Sequence, residues 1–219
     1  MKNYLQMNQS CRLPFLIVFV VLTFSLNITV SAQETIRSEI PAININDDTR
    51  HAEDIILGYT EKLNHLSEPE GGVSLLIYKD NYVIVYYPAY MKRAGTYGMY
   101  LDDAMMSRLW SLLTSVDTLA FDEEAIRRHI QALNRAKAEQ SASLSRSGDG
   151  ATTVIEVYPN RYQSVGFGSG DVDEMKQIAW HGLKWDANAY PDIQELQNLA
   201  MIQQVLYEIM QHVGLEHLE

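Results

Sequence analysis

Two pairs of short segments rich in β-branched and aromatic residues constrain the fold of this chain more than any other feature. The first pair is Val73 to Tyr78 and Tyr82 to Tyr87, and the second is Thr152 to Tyr158 and Tyr162 to Phe167. In each pair, three residues suited to a tight turn separate the two segments. This arrangement is typical of a β-hairpin, so the sequence predicts two hairpins.

Apolar residues between and around these segments recur at steps of three and four, the spacing of one helix face. Five helices are predicted in this way. The first is capped at 47–49 and carries Ile55, Ile56, Tyr59, Leu63 and Leu66; the second is capped by Asp102 or Asp103, and the third begins at Asp122. The fourth runs from Asp171 to about Trp180, and the fifth from Pro191 to His212, where Gly214 stops it. Hairpins separated by helices favour an α+β fold. We therefore expect an antiparallel sheet from two β-hairpins, packed against several α-helices.

The first 32 residues have the pattern of a secretory signal peptide. Lys2 and Arg12 precede an apolar run at 15–26, and small residues lead to an expected cleavage site after Ala32. An uncleaved anchor is the alternative, because 13–32 is about as long as a bilayer is wide. The strongly apolar part is shorter than that, which favours cleavage. Residues 33–46 are then a flexible lead-in, 47–214 a single α+β domain, and 215–219 a frayed C-terminus.

Loss of the predicted leader would leave an acidic domain without cysteine. The only cysteine, Cys11, and two of the basic residues lie in the leader, so the formal charge changes from −11 to −13. A surface this negative repels nucleic acid and anionic lipid. We expect an exported protein of the bacterial periplasm or the extracellular space, with no contact to a membrane unless the leader is kept as a single N-terminal anchor.

Residue patterns for catalysis, cofactors and metals are weak in this sequence. The glycines at 166–170 match neither phosphate-binding pattern, and acidic residues follow them. His212 and His217 lack the spacing of a zinc-binding pair on a helix. Adjacent acidic residues at predicted helix starts are typical of caps. The sequence therefore predicts no catalytic residue, no cofactor and no metal, and the balance is against an enzyme.

Tyrosine is concentrated in one segment, which carries seven tyrosines and two basic residues. They are Tyr78, Tyr82, Tyr86, Tyr87, Tyr90, Lys92, Arg93, Tyr97 and Tyr100. Tyrosine favours strands, so one interpretation is a sheet with a second, aromatic face. The other is a contact surface for another protein, because tyrosine offers a large rigid area and a hydroxyl group. These nine residues are the predicted interaction surface.

The order of parts resembles a known family. The first hairpin is followed by Gly95-Thr96-Tyr97. Next comes a helix with Leu109, Leu112, Leu113, Val116 and Asp117, which leads to Phe121-Asp122. The second hairpin follows, and then a closing helix that begins Tyr190-Pro191-Asp192-Ile193. Over residues 73–210 this layout is similar to that of emfourin-type proteinaceous inhibitors of thermolysin-like metalloproteases. The resemblance implies an inhibitor, and it assigns no inhibitory residue.

Three functions follow from these patterns. The first is an exported interaction or accessory protein without catalysis, which the tyrosine-rich segment favours. The second is a metalloprotease inhibitor, which the resemblance implies. The third is a hydrolase with an unrecognised site among its Asp, Glu, His and Tyr side chains.

Overall fold

Seven antiparallel strands form one sheet in the computed structural model, which describes residues 51–63, 72–139, 150–162 and 174–218. The strands are β1 Ile55–Lys62, β2 Ser74–Tyr78, β3 Tyr82–Tyr87, β4 Gly95–Tyr100, β5 Thr152–Val157, β6 Lys176–His181 and β7 Glu216–Leu218. Their order across the sheet is β6-β5-β1-β2-β3-β4-β7. All the described residues belong to one compact unit. The predicted leader and lead-in lie outside the described residues.

The helices are α1 Asp103–Leu113, α2 Val116–Leu119, α3 Glu123–Glu139, α4 Leu183–Ala189 and α5 Gln194–Met210, and a single 3₁₀ turn, Ala52–Asp54, precedes β1. They pack on one face of the sheet, which we call the helix face, and share a single apolar core with it. A smaller cluster of Leu76, Tyr78 and Ile84 lies on the opposite face. The α+β fold with an antiparallel sheet is therefore confirmed. Within the described ranges, no helix is long and apolar enough to cross a membrane.

The first predicted hairpin is present as β2 and β3. Its turn is closed by the Asn81 backbone N–H, which donates to the Tyr78 carbonyl at 3.0 Å. Asn81 has a φ of 64°, a left-handed conformation that asparagine tolerates better than most residues. Because the turn residue suits this geometry, the local sequence was sufficient to predict the hairpin.

The helix predicted behind residues 47–49 is wrong, because Ile55–Lys62 is strand β1. This strand lies inside the sheet, with β5 on one side and β2 on the other. Its residues are buried on both faces from Ile56 to Thr60. A strand buried on both faces is apolar nearly throughout, so its spacing also fits a helical stripe. Residues 57–60 pair with strands on both sides, and this pairing makes the segment a strand rather than a helix.

The second predicted hairpin is correct only in its first strand. Residues Thr152–Val157 form β5, but β1 and β6 pair with its two edges, so neither edge of β5 is free for a hairpin partner. Tyr162 instead packs its ring against Trp110, with the centroids 4.5 Å apart. Residues 163–167 lie outside the described residues. The hairpin prediction failed because a strand's partner is chosen by the whole sheet rather than by the nearest turn.

The helix predicted from Asp171 to Trp180 is also wrong over its described part, where Lys176–His181 form β6. Ile178 and Trp180 are buried in the helix-face core, whereas Gln177 and Ala179, which alternate with them, are only partly buried. This alternation has the period of a strand. Asp171 lies outside the described residues.

The other three predicted helices are present as α1, α3 and α5. The Asp102 carboxylate accepts from the Met105 N–H at 2.7 Å and the Asp122 carboxylate from the Ala125 N–H at 2.9 Å, so both helices start at the predicted caps. Helix α5 ends at Met210, before the predicted His212, and Gly214 lies in a later turn.

The end of the described chain is ordered into the sheet, where the sequence suggested a frayed terminus. Residues Glu216–Leu218 form β7 and pair with β4, placing His217 opposite Tyr97. This strand brings the residues after α5 beside the loop between β3 and β4. That contact positions the candidate site.

Candidate functional site

The nine residues of the predicted interaction surface are divided between the two faces of the sheet. Alternation along the strands places Tyr78, Tyr82, Tyr86 and Tyr100 on the face opposite the helices, and Tyr87 and Tyr97 on the helix face. The remaining three, Tyr90, Lys92 and Arg93, lie in the loop between β3 and β4. The tyrosine-rich segment is therefore two groups of residues and not one continuous surface.

The group on the opposite face is mostly covered. Tyr78 is buried, and Tyr82 and Tyr86 are half-buried. Tyr100 is 64% exposed and packs edge-on against Tyr82, with ring centroids 4.8 Å apart. The positions of these four tyrosines agree with the interpretation that the sheet has a second, aromatic face.

The second group contains an arginine held against aromatic rings. The Arg93 guanidinium lies 4.5 Å from the centroid of the Tyr97 ring and 5.5 Å from that of Tyr87. The two rings pack edge-on at 5.6 Å, and His217 on β7 packs edge-on against the outer side of Tyr97 at 5.0 Å. A cation over an aromatic face is attracted by the ring quadrupole. These contacts restrict Arg93 to one region of the surface.

We call this group, with its neighbours in the loop, the aromatic corner: Tyr87, Tyr90, Lys92, Arg93, Tyr97 and His217. The buried Tyr87 hydroxyl donates to the Met210 carbonyl at the end of α5, which ties the corner to the helix layer. Tyr90 is 49% exposed, and Lys92 and His217 are exposed. The corner is thus basic and aromatic on a chain of net charge −11.

Gly95 allows the corner to close. Its φ is +118°, and a Cβ at this position would lie 2.7 Å from His217 Nε2. Only glycine adopts such a backbone conformation readily, and only a residue without a side chain leaves room for the imidazole. Gly95 therefore begins β4 and leaves the space that the His217 ring occupies.

A second polar cluster, which the sequence did not suggest, lies on the helix face between β1 and α5. We call it the Glu61 cluster: Tyr59, Glu61, Thr153, Gln203 and Tyr207. Glu61 Oε1 accepts from the Tyr59 hydroxyl at 2.9 Å, from Gln203 Nε2 at 3.0 Å and from the Tyr207 hydroxyl. Gln203 Nε2 also lies 2.9 Å from Thr153 Oγ1. Three donors from β1 and α5 thus converge on one carboxylate oxygen, and β5 supplies Thr153 behind Gln203.

The two tyrosines of the Glu61 cluster keep their protons. Burial raises the pKa of Tyr59 above its ordinary value, and the negative charge of Glu61 raises it further. Burial also raises the pKa of Tyr207, with the hydrogen bond to Glu61 adding to the effect. A protonated phenol donates a hydrogen bond and a phenolate cannot. Both hydroxyls therefore remain donors to Glu61 well into the alkaline range.

These raised pKa values predict a loss of stability in alkali. The unfolded chain releases its tyrosine protons near the ordinary pKa of 10.0, whereas the folded chain retains them. The contribution is complete below about pH 10 and is lost as the pH rises further. Urea unfolding between pH 8 and 11 should show this fall, and it should be shallower in Tyr207→Phe. An equally steep fall in the variant would contradict the assignment.

Metal ligation has no support in the described part of the chain. Across 51–63, 72–139, 150–162 and 174–218, no three His, Cys, Asp or Glu side chains are grouped as metal ligands. The glycines at 166, 168 and 170 lie outside those ranges. The expectation of no metal and no cofactor stays a prediction.

Comparison with protein-family models, curated proteins and solved structures gives no match to this chain. The resemblance to emfourin-type inhibitors therefore also stays a prediction.

Proposed function

We propose that this chain is an exported accessory protein that acts by binding another protein through the aromatic corner. The observation that carries the proposal is the placement of Arg93 over Tyr87 and Tyr97, beside exposed Tyr90 and Lys92. Arginine and tyrosine are the residue types most enriched among those that dominate protein–protein binding energy. The proposal narrows the predicted surface from nine residues to those that share this corner.

The packing of Arg93 also lowers the cost of binding. A long side chain that a partner must immobilise loses about 0.5–1.5 kcal/mol of conformational freedom. Because the two rings already restrict the guanidinium, part of that loss occurs on folding. The guanidinium suits a carboxylate, and exposed Tyr90 suits an apolar pocket. The expected partner therefore presents an acidic side chain next to an apolar depression.

Site-specific photocrosslinking tests the proposal in the cell. A photoreactive phenylalanine analogue placed at Tyr90 should give a discrete adduct with one protein. The matched control is the same analogue at Tyr100, which is as exposed but lies on the opposite face of the sheet. Adducts of equal yield and identity from both positions would contradict the proposal.

Binding measurements with the recovered partner then test Arg93. Arg93→Ala should weaken binding by about 2 kcal/mol or more, as expected of a dominant interface arginine. Arg93→Lys keeps the charge but loses the planar fork, and it should recover only part of the affinity. Unchanged affinity in Arg93→Ala would exclude the corner as the contact surface. A metalloprotease partner that loses activity on binding would support the inhibitor hypothesis.

Export is the other half of the proposal, and the pattern of residues 1–32 supports it. Cell fractionation should place the protein outside the cytoplasm, and its intact mass should correspond to a chain that begins at residue 33. A product that keeps Met1 and sediments with membranes would favour the anchor. A full-length product in the cytosol would contradict export.

A further inference from the structure

The two oxygens of the Glu61 carboxylate have different environments. Oε1 accepts all three of the hydrogen bonds that the cluster donates to Glu61, from Tyr59, Gln203 and Tyr207. Among the hydrogen bonds of the described residues, none reaches Oε2. Glu61 is partly exposed, and Oε2 is not among the buried atoms that lack a partner within those residues. Oε2 therefore faces solvent while Oε1 is fully used.

The cluster fixes the direction of that second oxygen. Tyr59 is fully buried, and Gln203, which also contacts the buried Thr153, is nearly so, so two of the three groups that hold Oε1 have little freedom. The result is a carboxylate oxygen held in one orientation, which costs a ligand less to bind than a mobile carboxylate does.

No cation within the described residues neutralises Glu61. The ion pairs there join Asp54 to Lys79, Glu208 to Arg108, Glu123 to Arg127 and Glu124 to Arg128. The next residue, Lys62, points to the opposite face of the sheet because side chains alternate along β1. Among the described residues, none therefore supplies a positive partner for the half-buried Glu61 carboxylate.

Exposed apolar surface is present in the cluster and in the chain just after Glu61. Tyr207, which donates to Glu61, is itself 36% exposed, and Leu63, two residues along the chain, is 43% exposed. An aromatic face attracts a cation, and an aliphatic side chain can cover the methylene stem of a lysine. Both features favour a cationic group carried on an apolar stem.

We propose that Glu61 Oε2 anchors a binding site for the ammonium group of a lysine side chain from a partner polypeptide. A guanidinium pairs best with both oxygens of a carboxylate, in parallel hydrogen bonds. Because Glu61 Oε1 already accepts three hydrogen bonds, only Oε2 is left for a ligand. A single hydrogen bond from a compact ammonium group therefore suits this site better than the two parallel hydrogen bonds of a guanidinium. This site shares no residue with the aromatic corner, and its ligand has the opposite charge, so either can fail without the other.

The test uses the full chain and three blocked tripeptides, alanine–X–alanine, with lysine, arginine or norleucine as X. Binding is followed by NMR through the ring signals of Tyr207 at low ionic strength. The lysine peptide should give a saturable shift, with binding about tenfold tighter than that of the norleucine peptide and tighter than that of the arginine peptide. Equal affinities for all three would overturn the proposal, and so would preference for arginine.

Variants separate the role of the carboxylate from a general charge effect. Glu61→Gln keeps the shape and an acceptor oxygen for the three donors but removes the charge, and it should abolish the preference for lysine over norleucine. Glu208→Gln removes an exposed carboxylate from the same helix as Tyr207 and should leave that preference unchanged. If Glu61→Gln binds the lysine peptide as well as the parent chain does, the site is excluded.

Discussion

Replacing Trp180 with alanine is expected to lower the free energy of unfolding by about 3–5 kcal/mol, the range for deleting a large buried aromatic side chain. Trp180 is fully buried. Its ring packs edge-on against Phe121, with centroids 5.8 Å apart, and lies 4.4 Å beneath the Arg127 guanidinium. Its indole N–H donates to Asp186 Oδ2 at 3.0 Å. The substitution therefore removes the contacts that this side chain of β6 makes with both α3 and α4.

Two controls make this measurement specific. Trp180→Phe keeps most of the ring and loses the indole N–H, so it should cost clearly less than alanine. Trp185→Ala removes a tryptophan that is 64% exposed, and such surface changes are usually within about 0.5 kcal/mol. Urea unfolding followed by circular dichroism gives all three values. Equal costs for Trp180→Ala and Trp185→Ala would contradict the burial of Trp180.

Replacing Tyr59 with alanine should destabilise the fold by about 3–5 kcal/mol as well. Tyr59 lies in β1, is fully buried, and packs edge-on against Tyr207 with ring centroids 6.5 Å apart. Alanine would leave a cavity between the centre of the sheet and α5. It would also remove one of the three donors to Glu61 Oε1.

Tyr59→Phe separates packing from hydrogen bonding. It keeps the ring and removes only the hydroxyl, so it should cost about 0.5–1.5 kcal/mol, the usual net value of one hydrogen bond. Tyr100→Ala is the exposed control and should cost little, since that ring packs only at the surface. The same urea titration measures each variant. If Tyr59→Phe is as destabilising as Tyr59→Ala, the packing account is wrong.

The elements that the sequence predicted correctly are those determined by neighbouring residues. The turn at Asn81 and the caps at Asp102 and Asp122 are satisfied by atoms within three residues. Their signals can be read from a short window, since the groups that stabilise them lie in that window. For this reason the sequence predicted the hairpin of β2 and β3 and the helices α1 and α3 correctly.

The elements that the sequence missed depend on distant partners. Strand β1 is a strand because β2 and β5 pair with it, and Leu57 lies opposite Val157. Its apolar residues fit a helix equally well when that pairing is unknown. Strand β7 has only three residues and exists because β4 is beside it. Such pairings are decided by the assembled sheet, which no local window contains.

The aromatic corner and the Glu61 cluster differ likewise in how far the sequence could predict them. Composition alone identified the segment that supplies Tyr87, Tyr90, Lys92, Arg93 and Tyr97, although not how the strands divide it. His217 joined that group only through β7, and nothing near it in sequence indicates this. The Glu61 cluster was not predictable, because it joins residue 61 to residues 203 and 207. The one local sign is that Tyr59 and Glu61 share a face of β1.

The order of strands in the sheet has a consequence for how the chain acquires its structure. Strands β1 to β4 can pair as soon as residue 100 is available, but β5 begins at residue 152. Until β5 arrives, one edge of β1 presents unpaired backbone groups to other chains, which is a known route to aggregation. Pairings across so many residues also form slowly. Until residues 152–157 are available, β1 is therefore the part of a partly folded chain that is most exposed to pairing with another chain.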